Sequence, residues 1–268
     1  MTCIRLCLSS QAVLSPPPSC RRQARAERPF LCWASRDMAK NQVRGGSLAA
    51  VLPTARGVIY VHGAEGGTPG GLAWTTLRGR WPIMQAVSRR ATTISSDLGG
   101  NATWGNSTVV DAIGKAQGVL LAQPGVAQQP VGMLCQSMGA TGGIAWAAAN
   151  RARVSRVVLL IPALNIQEIA ANSKLPRAHD TAYGGAYVEE RDGPTHSPLT
   201  IAKAGKLAGL PIQLWCGDMD TLGEPEFVLQ FAEAVGATCE LRKMHGGHAE
   251  ETVYNMDPEP IAEFLGDA

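Results

Sequence analysis

From residue 57 onward the chain alternates short apolar runs with longer stretches of helical period. "GVIYVHG" (57–63) is an apolar run closed by glycine, the pattern of a strand buried on both faces of a parallel sheet. Between about Trp74 and Arg90, Leu77, Trp81, Met84 and Val87 recur at spacings of three and four, which predicts a helix. Pro82 places its start close by, because proline is accepted in a first turn. "ATTISSDLGG" (91–100) reads as the next strand with its exit loop, and "NSTVVDAIGKAQGVLLAQ" (106–123) as a helix stopped by Pro124-Gly125. Then follow a strand at 130–136, a helix at 138–150 and a strand at 154–161. After an irregular stretch come a strand at 210–218, a helix at 224–236, a strand at 237–247 and a last helix near 258–266. This alternation predicts an α/β fold: a doubly wound, mostly parallel sheet with crossovers on both faces. Ligands of such sheets gather at the loops leaving the carboxyl ends of the strands. Every candidate residue below lies on such a loop or on the segment that interrupts the alternation.

The remaining composition narrows the picture. A chain of 268 residues with 45% hydrophobic and 17% charged positions can bury a substantial core. No apolar run approaches the roughly 18–20 residues of a membrane span. The net charge of +2 hides an asymmetry: residues 1–40 hold six Arg and one Lys against Glu27 and Asp37, a net of +5, which leaves −3 for 41–268. A mildly acidic body without a basic stripe excludes a nucleic-acid footprint. The first 40 residues lack sustained periodicity, contain Pro-Pro-Pro and are rich in Arg and Ser. They read as a disordered or untranslated leader with synthesis starting at Met38, or else as an organelle transit peptide. Cys135, Cys216 and Cys239 in the body read as buried hydrophobes of a reducing, cytoplasmic or organellar, compartment. The sequons at Asn101 and Asn106 would matter only in a secreted chain.

Four features point to chemistry. In "VGMLCQSMGATGG" (131–143) Ser137 ends a strand and opens a helix. C-x-S-x-G is a variant of the G-x-S-x-G nucleophile elbow, whose tight turn exposes a serine hydroxyl and needs small neighbours. Asp220 follows the strand ending "LWCGDMD", where an orienting acid belongs in the order Ser…Asp…His; Asp218 competes with it, its alternative role being a turn former. His248, in "MHGGHAEE", completes the order between the last strand and the last helix, and His245 is its neighbouring decoy. His245 and His248 lack a third ligand for a metal site. "VHGAEGG" (61–67) has neither the Lys-Ser/Thr of a P-loop nor the dinucleotide fingerprint. It reads instead as an oxyanion loop, in which the N–H of Ala64 or Glu65 joins that of Met138.

On these residues the chain resembles the α/β-hydrolase superfamily, serine esterase type, over about 57–265. The likeness rests on "YVHGAEGG", "SDLGGNATWGNS", "CQSMGA", "PIQLWCGDMDTL" and "HGGH", with Ser197-Pro198 ahead of the acid-bearing strand. The family's G-x-x-D, aligned on Gly217, falls on Asp220, and its Gly-His falls on Gly247-His248. Cys135 departs from the family's first elbow glycine. The N-terminal part is short for the family, and "SLAAVLP" (47–53) is a candidate early edge strand. The resemblance implies an α/β-hydrolase domain at 41–268 with a small cap inserted at about 162–199. It also implies a triad of Ser137, Asp220 and His248 working through an acyl-enzyme, with neither cofactor nor metal.

The cap region reads as one short helix in "NIQEIAANSKL" followed by a polar, turn-rich stretch, "HDTAYGGAYVEERDG". Lacking the broad apolar face that suits a lipid interface, it favours a small or soluble acyl ester and no membrane partner. Glu65, Trp104, Tyr183 and Tyr187 are candidate substrate-binding residues, while His179 and His196 read as surface or cap histidines. An acyltransferase, thioesterase or lyase would use the same fold. A binding protein on a hydrolase scaffold would not need all three triad residues.

Overall fold

Every residue of Gly57–Val61, Val131–Gln136 and Ile212–Gly217 is buried, and the alternation of their side chains divides the core into two layers. Ile59, Val61, Met133, Cys135, Val157 and Leu159 point to one face of the sheet. Val58, Tyr60, Leu134, Val158 and Leu160 point to the other. A strand covered on both sides must be apolar throughout, which is why these segments read as continuous hydrophobic runs.

The structure, a computed structural model, describes residues 42–44, 47–50, 56–64, 79–171 and 178–266, with backbone alone for 42–44, 47–50 and 178–179. The leader, Glu65, the side chain of His179 and the first part of the helix expected at 74–90 lie outside the described residues. The strands are β1 (Gln42–Arg44), β2 (Ser47–Ala50), β3 (Gly57–Val61), β4 (Thr92–Ser95), β5 (Val131–Gln136), β6 (Val154–Leu160), β7 (Ile212–Gly217) and β8 (Cys239–Met244). They form an eight-stranded sheet in the order β1-β2-β4-β3-β5-β6-β7-β8. From β4 to β8 all neighbours run parallel, and β1 and β2 add antiparallel pairs at the β4 side. The strand expected at 47–53 thus forms over Ser47–Ala50, but it is not the edge: β1 pairs outside it.

Helices α1 (Trp81–Ser88), α9 (Glu250–Tyr254) and α10 (Pro258–Gly266) contribute Ile83, Met84, Val87, Val253, Ile261 and Leu265 to the β3 Tyr60 face. On the opposite face lie α2 (Ser107–Leu121), α3 (Gly139–Ala149) and α8 (Pro225–Val235), with Ile113, Leu120, Ile144, Trp146, Val228 and Phe231. Pro82 sits in the first turn of α1, as the sequence predicts. Asn106 caps α2 by accepting the Val109 N–H at 3.3 Å. Between β6 and β7 the chain forms α4 (Ile166–Ala171), α5 (Ala178–Tyr183), α6 (Glu189–His196) and α7 (Pro198–Lys203). The stretch expected to be turn-rich therefore contains two helices, and α6 carries Pro194 inside it. No described helix is long and apolar enough to cross a membrane.

The chain leaves β3 toward β4 on one side, then crosses to β5 on the other. This reversal opens a crevice at the carboxyl ends of β3 and β5.

Phe231 is fully buried on α8, whereas Leu229 is 46% exposed two residues away. Phe231→Ala is expected to lower unfolding free energy by about 3–5 kcal/mol, and Leu229→Ala by less than about 0.5 kcal/mol; urea denaturation of both variants checks the contrast.

Candidate active site

Ser137 stands between β5 and α3 with φ at 51°. This left-handed conformation is sparsely populated by non-glycine residues and costs on the order of 1–3 kcal/mol. The neighbouring strand holds it there: Ser137 N–H donates to Leu160 O at 2.9 Å, and Ala163 N–H donates to Ser137 O at 3.1 Å. Both partners lie at the exit of β6, so the turn is fixed on either side of the nucleophile candidate.

Close packing explains the small residues around the turn. A Cβ on Gly139 would lie 2.2 Å from Val61 O and 2.6 Å from His62 O, so the first residue of α3 touches the end of β3. A Cβ on Gly143 would lie 2.4 Å from Cys135 Sγ. Here the elbow's departure from glycine is absorbed: the volume added by Cys135 is taken out at Gly143, one helical turn beyond Gly139. Burial pushes the Cys135 thiol far above its ordinary range, leaving it a filler and not a nucleophile.

His248 Nε2 lies 2.6 Å from Ser137 Oγ. Its Nδ1 lies 2.8 Å from Asp220 Oδ2 and 3.1 Å from Oδ1. A carboxylate only accepts, so Nδ1 carries the hydrogen and Nε2 is left to accept from the serine hydroxyl. The Asp220 side chain is 0% exposed and that of His248 17%. Asp220 Oδ1 also accepts the N–H groups of Leu222 at 2.9 Å and Gly223 at 2.7 Å, which fixes the carboxylate plane.

The two competitors of the sequence reading find each other. Asp218 Oδ2 is 3.3 Å from His245 Nδ1, and Asp218 Oδ1 accepts Gly246 N–H at 3.0 Å. That N–H, and secondarily His245, hold the Asp218 carboxyl below its ordinary range. This pair is open to water, with side chains 50% and 81% exposed, whereas the Asp220–His248 pair is shielded. His245 and His248 each turn to a different aspartate.

Ala64 occupies an exposed turn just after β3, and Met138 is the N-cap of α3, between Ser137 and Gly139. The contact between Gly139 and the end of β3 brings these two segments side by side. His62, to which the sequence reading gives no role, secures the β3 exit: Nδ1 is 2.8 Å from Gly63 O and Nε2 is 2.5 Å from Asp97 O on the loop after β4. Its signal in the sequence is its position directly before the glycine of a strand exit.

Trp104 is buried and shares a small apolar cluster with Met138, Ala163 and Ile169, against which Tyr183 and Leu222 pack. Met138 follows the serine and Leu222 lies two residues past Asp220, so this cluster borders the relay. Tyr183 donates its hydroxyl to Trp104 O at 2.7 Å. Tyr187 meets Tyr183 edge-on, with centroids 5.0 Å apart, and donates to Glu189 at 2.6 Å, inside the segment between β6 and β7. His196 Nδ1 contacts Gly105 O at 2.6 Å, and Asn106 Nδ2 donates to Ala182 O at 2.8 Å. Three successive residues, 104–106, thus hold that segment over the elbow.

No protein-family model matches the chain, and no curated protein matches it. Solved structures do. The fluorophosphonate-binding serine hydrolase F of Staphylococcus aureus, with substrate bound, aligns at a TM-score of 0.65 and 13% identity over 88% of this chain and 96% of that one. An esterase of Pyrococcus furiosus aligns at 0.57 and 19% identity, over 82% and 85%. A meta-cleavage product hydrolase aligns at 0.55 and 15% identity, over 87% and 99%. The chain has the α/β-hydrolase fold.

The packing of Cys135 against Gly143 gives a direct test of the elbow. Gly143→Ala is expected to destabilise the protein by about 1–3 kcal/mol through overpacking. In a Cys135→Gly background the added cost should shrink by at least about 0.5 kcal/mol, the scale of coupling between touching residues. Chemical denaturation of the four proteins of the cycle measures it.

Proposed function

We propose that the protein is a serine hydrolase that cleaves carboxylic esters with small acyl groups. The observation that carries this reading is the relay Ser137–His248–Asp220, anchored on a buried carboxylate, its hydroxyl held at 2.6 Å from the imidazole on a left-handed turn. A serine hydroxyl is a weak nucleophile until an adjacent base takes its proton. His248 is that base. Ser137 Oγ attacks the ester carbonyl carbon as its proton moves to His248 Nε2, and a tetrahedral oxyanion forms. The N–H groups of Met138 and Ala64 receive the oxyanion, each worth about 3–4 kcal/mol of barrier in comparable sites. Asp220 steadies the imidazolium without taking its proton. Collapse expels the alcohol, which leaves with the proton from His248. Water, deprotonated by the same imidazole, then releases the acid and restores the serine.

The segment between β6 and β7 serves as the cap. The buried Trp104 cluster includes Met138, the residue after the serine, and side chains packed so near the elbow support a small acyl group over a long chain. The Staphylococcus aureus neighbour is itself named for fluorophosphonate binding, and that reagent class reads an activated serine directly.

A tagged fluorophosphonate is expected to label the wild type and to leave Ser137→Ala unlabelled. On a chain-length series of nitrophenyl esters, acetate and butyrate should be turned over in preference to decanoate. Labelling without turnover on any ester would redirect the reading to acyl transfer, thioester cleavage or lyase chemistry on the same serine. Absence of label on folded wild type would end the nucleophile assignment and leave a binding protein on this scaffold. Asp220→Asn should retain the fold and lower kcat by about 10⁴-fold, the scale of a lost orienting acid.

A further inference from the structure

Beneath the relay, on the α1 face of the sheet, lies a charged group that the reaction above does not use. Arg80 is 1% exposed, immediately before α1. Its Nη1 donates to Glu250 Oε1 at 3.1 Å, and Glu250 Oε2 accepts Gly79 N–H at 2.7 Å. Both oxygens of one carboxylate therefore clamp residues 79 and 80. The approach is close: a Cβ on Gly79 would lie 2.0 Å from Glu250 O. Glu250 is two residues past His248. The Arg80 guanidinium carbon also lies 5.7 Å from the centroid of the Tyr60 ring, within the range of cation–π attraction. Tyr60 in turn donates its hydroxyl to Gln136 Oε1 at 3.1 Å, and Gln136 is the residue before Ser137.

One buried cation is therefore joined to the segment carrying the base, to the strand feeding the oxyanion loop and, through Tyr60, to the residue preceding the nucleophile. A buried charge must be paired, and breaking such a pair leaves its partner uncompensated. The segments that meet at Arg80 consequently cannot move apart freely. We propose that Arg80, held by Glu250 and stacked over Tyr60, is a positioning residue that fixes the His248 segment relative to the nucleophile elbow. This inference rests on the serine-hydrolase reading and adds to it a support that the relay itself does not contain.

Fluorophosphonate labelling of the full chain tests it, with the saturating rate constant, the reagent affinity and the labelled fraction read separately and thermal unfolding followed in parallel. The variants are Arg80→Met, Glu250→Gln, which keeps the shape and removes the charge, and Tyr60→Phe, which removes a single hydroxyl. A displacement of about 1 Å at reacting groups costs up to about 100-fold, so the saturating rate should fall by about 10- to 100-fold in Arg80→Met and Glu250→Gln. It should fall less in Tyr60→Phe, with reagent affinity and labelled fraction retained in all three. A structural role alone would reduce the labelled fraction while the labelled molecules react at the wild-type rate, and that result overturns the proposal. Where Arg80→Met does not fold, wild-type rates in both Glu250→Gln and Tyr60→Phe overturn it equally. Wild type that labels while the variants match it leaves the hydrolase reading standing without this support. Wild type that does not label removes both.

Discussion

The backbone of Ser137 is the constraint around which the rest is arranged. A side chain at φ 51° persists only where its surroundings leave no alternative, and here they come from three strands. The exit of β6 bonds the serine backbone at Leu160 and Ala163. The end of β3 abuts Gly139, and Cys135 on β5 fills the space left by Gly143. Ile161, the residue after β6, is itself left-handed at φ 39° and is anchored by its N–H to Trp215 O at 2.8 Å. The strained turn is thus braced by a second strained residue one strand away, so the hydroxyl is presented at a place the sheet defines.

Two Asp–His pairs tie the loops leaving β7 and β8, and burial separates their roles. Asp218–His245 sits in water, where salt screens such a pair. Asp220–His248 is shielded, and its carboxylate accepts two backbone N–H groups besides the imidazole. The same residue types at nearly the same spacing therefore yield one contact open to water and one shielded beside Ser137. The difference lies in which pair faces the crevice.

Much of this was legible in the sequence, for identifiable reasons. Strands buried on both faces announce themselves as unbroken apolar runs, and "GVIYVHG" and "LPIQLWCGD" both fall on strands of the sheet. Ser137, Asp220 and His248 are expected together from their order along the chain, and His248 lies within hydrogen-bond reach of the other two. What local pattern could not supply was long-range pairing. β1 has too few residues for a period, and the two helices at 178–183 and 189–196 are too polar to show an apolar stripe. Trp104 and Tyr183 read in the sequence as candidate substrate-binding residues, yet their mutual hydrogen bond belongs to tertiary structure. Arg80 and Glu250 are 170 positions apart, and nothing in either neighbourhood announces the other.

The same separations bear on how the relay comes into being. Asp220 and His248 are 28 positions apart, within a single strand–helix–strand unit, whereas Ser137 and His248 are 111 apart. Closing the larger loop costs more chain entropy, and contacts of long sequence separation form slowly. Asp220 and His248 can meet in a locally folded unit, but Ser137 joins them only when β5, β6 and β7 have docked side by side. Asp220 and His248 can thus be oriented before Ser137 reaches them, and in the serine-hydrolase reading proposed above activity would report that the last long-range contact has formed.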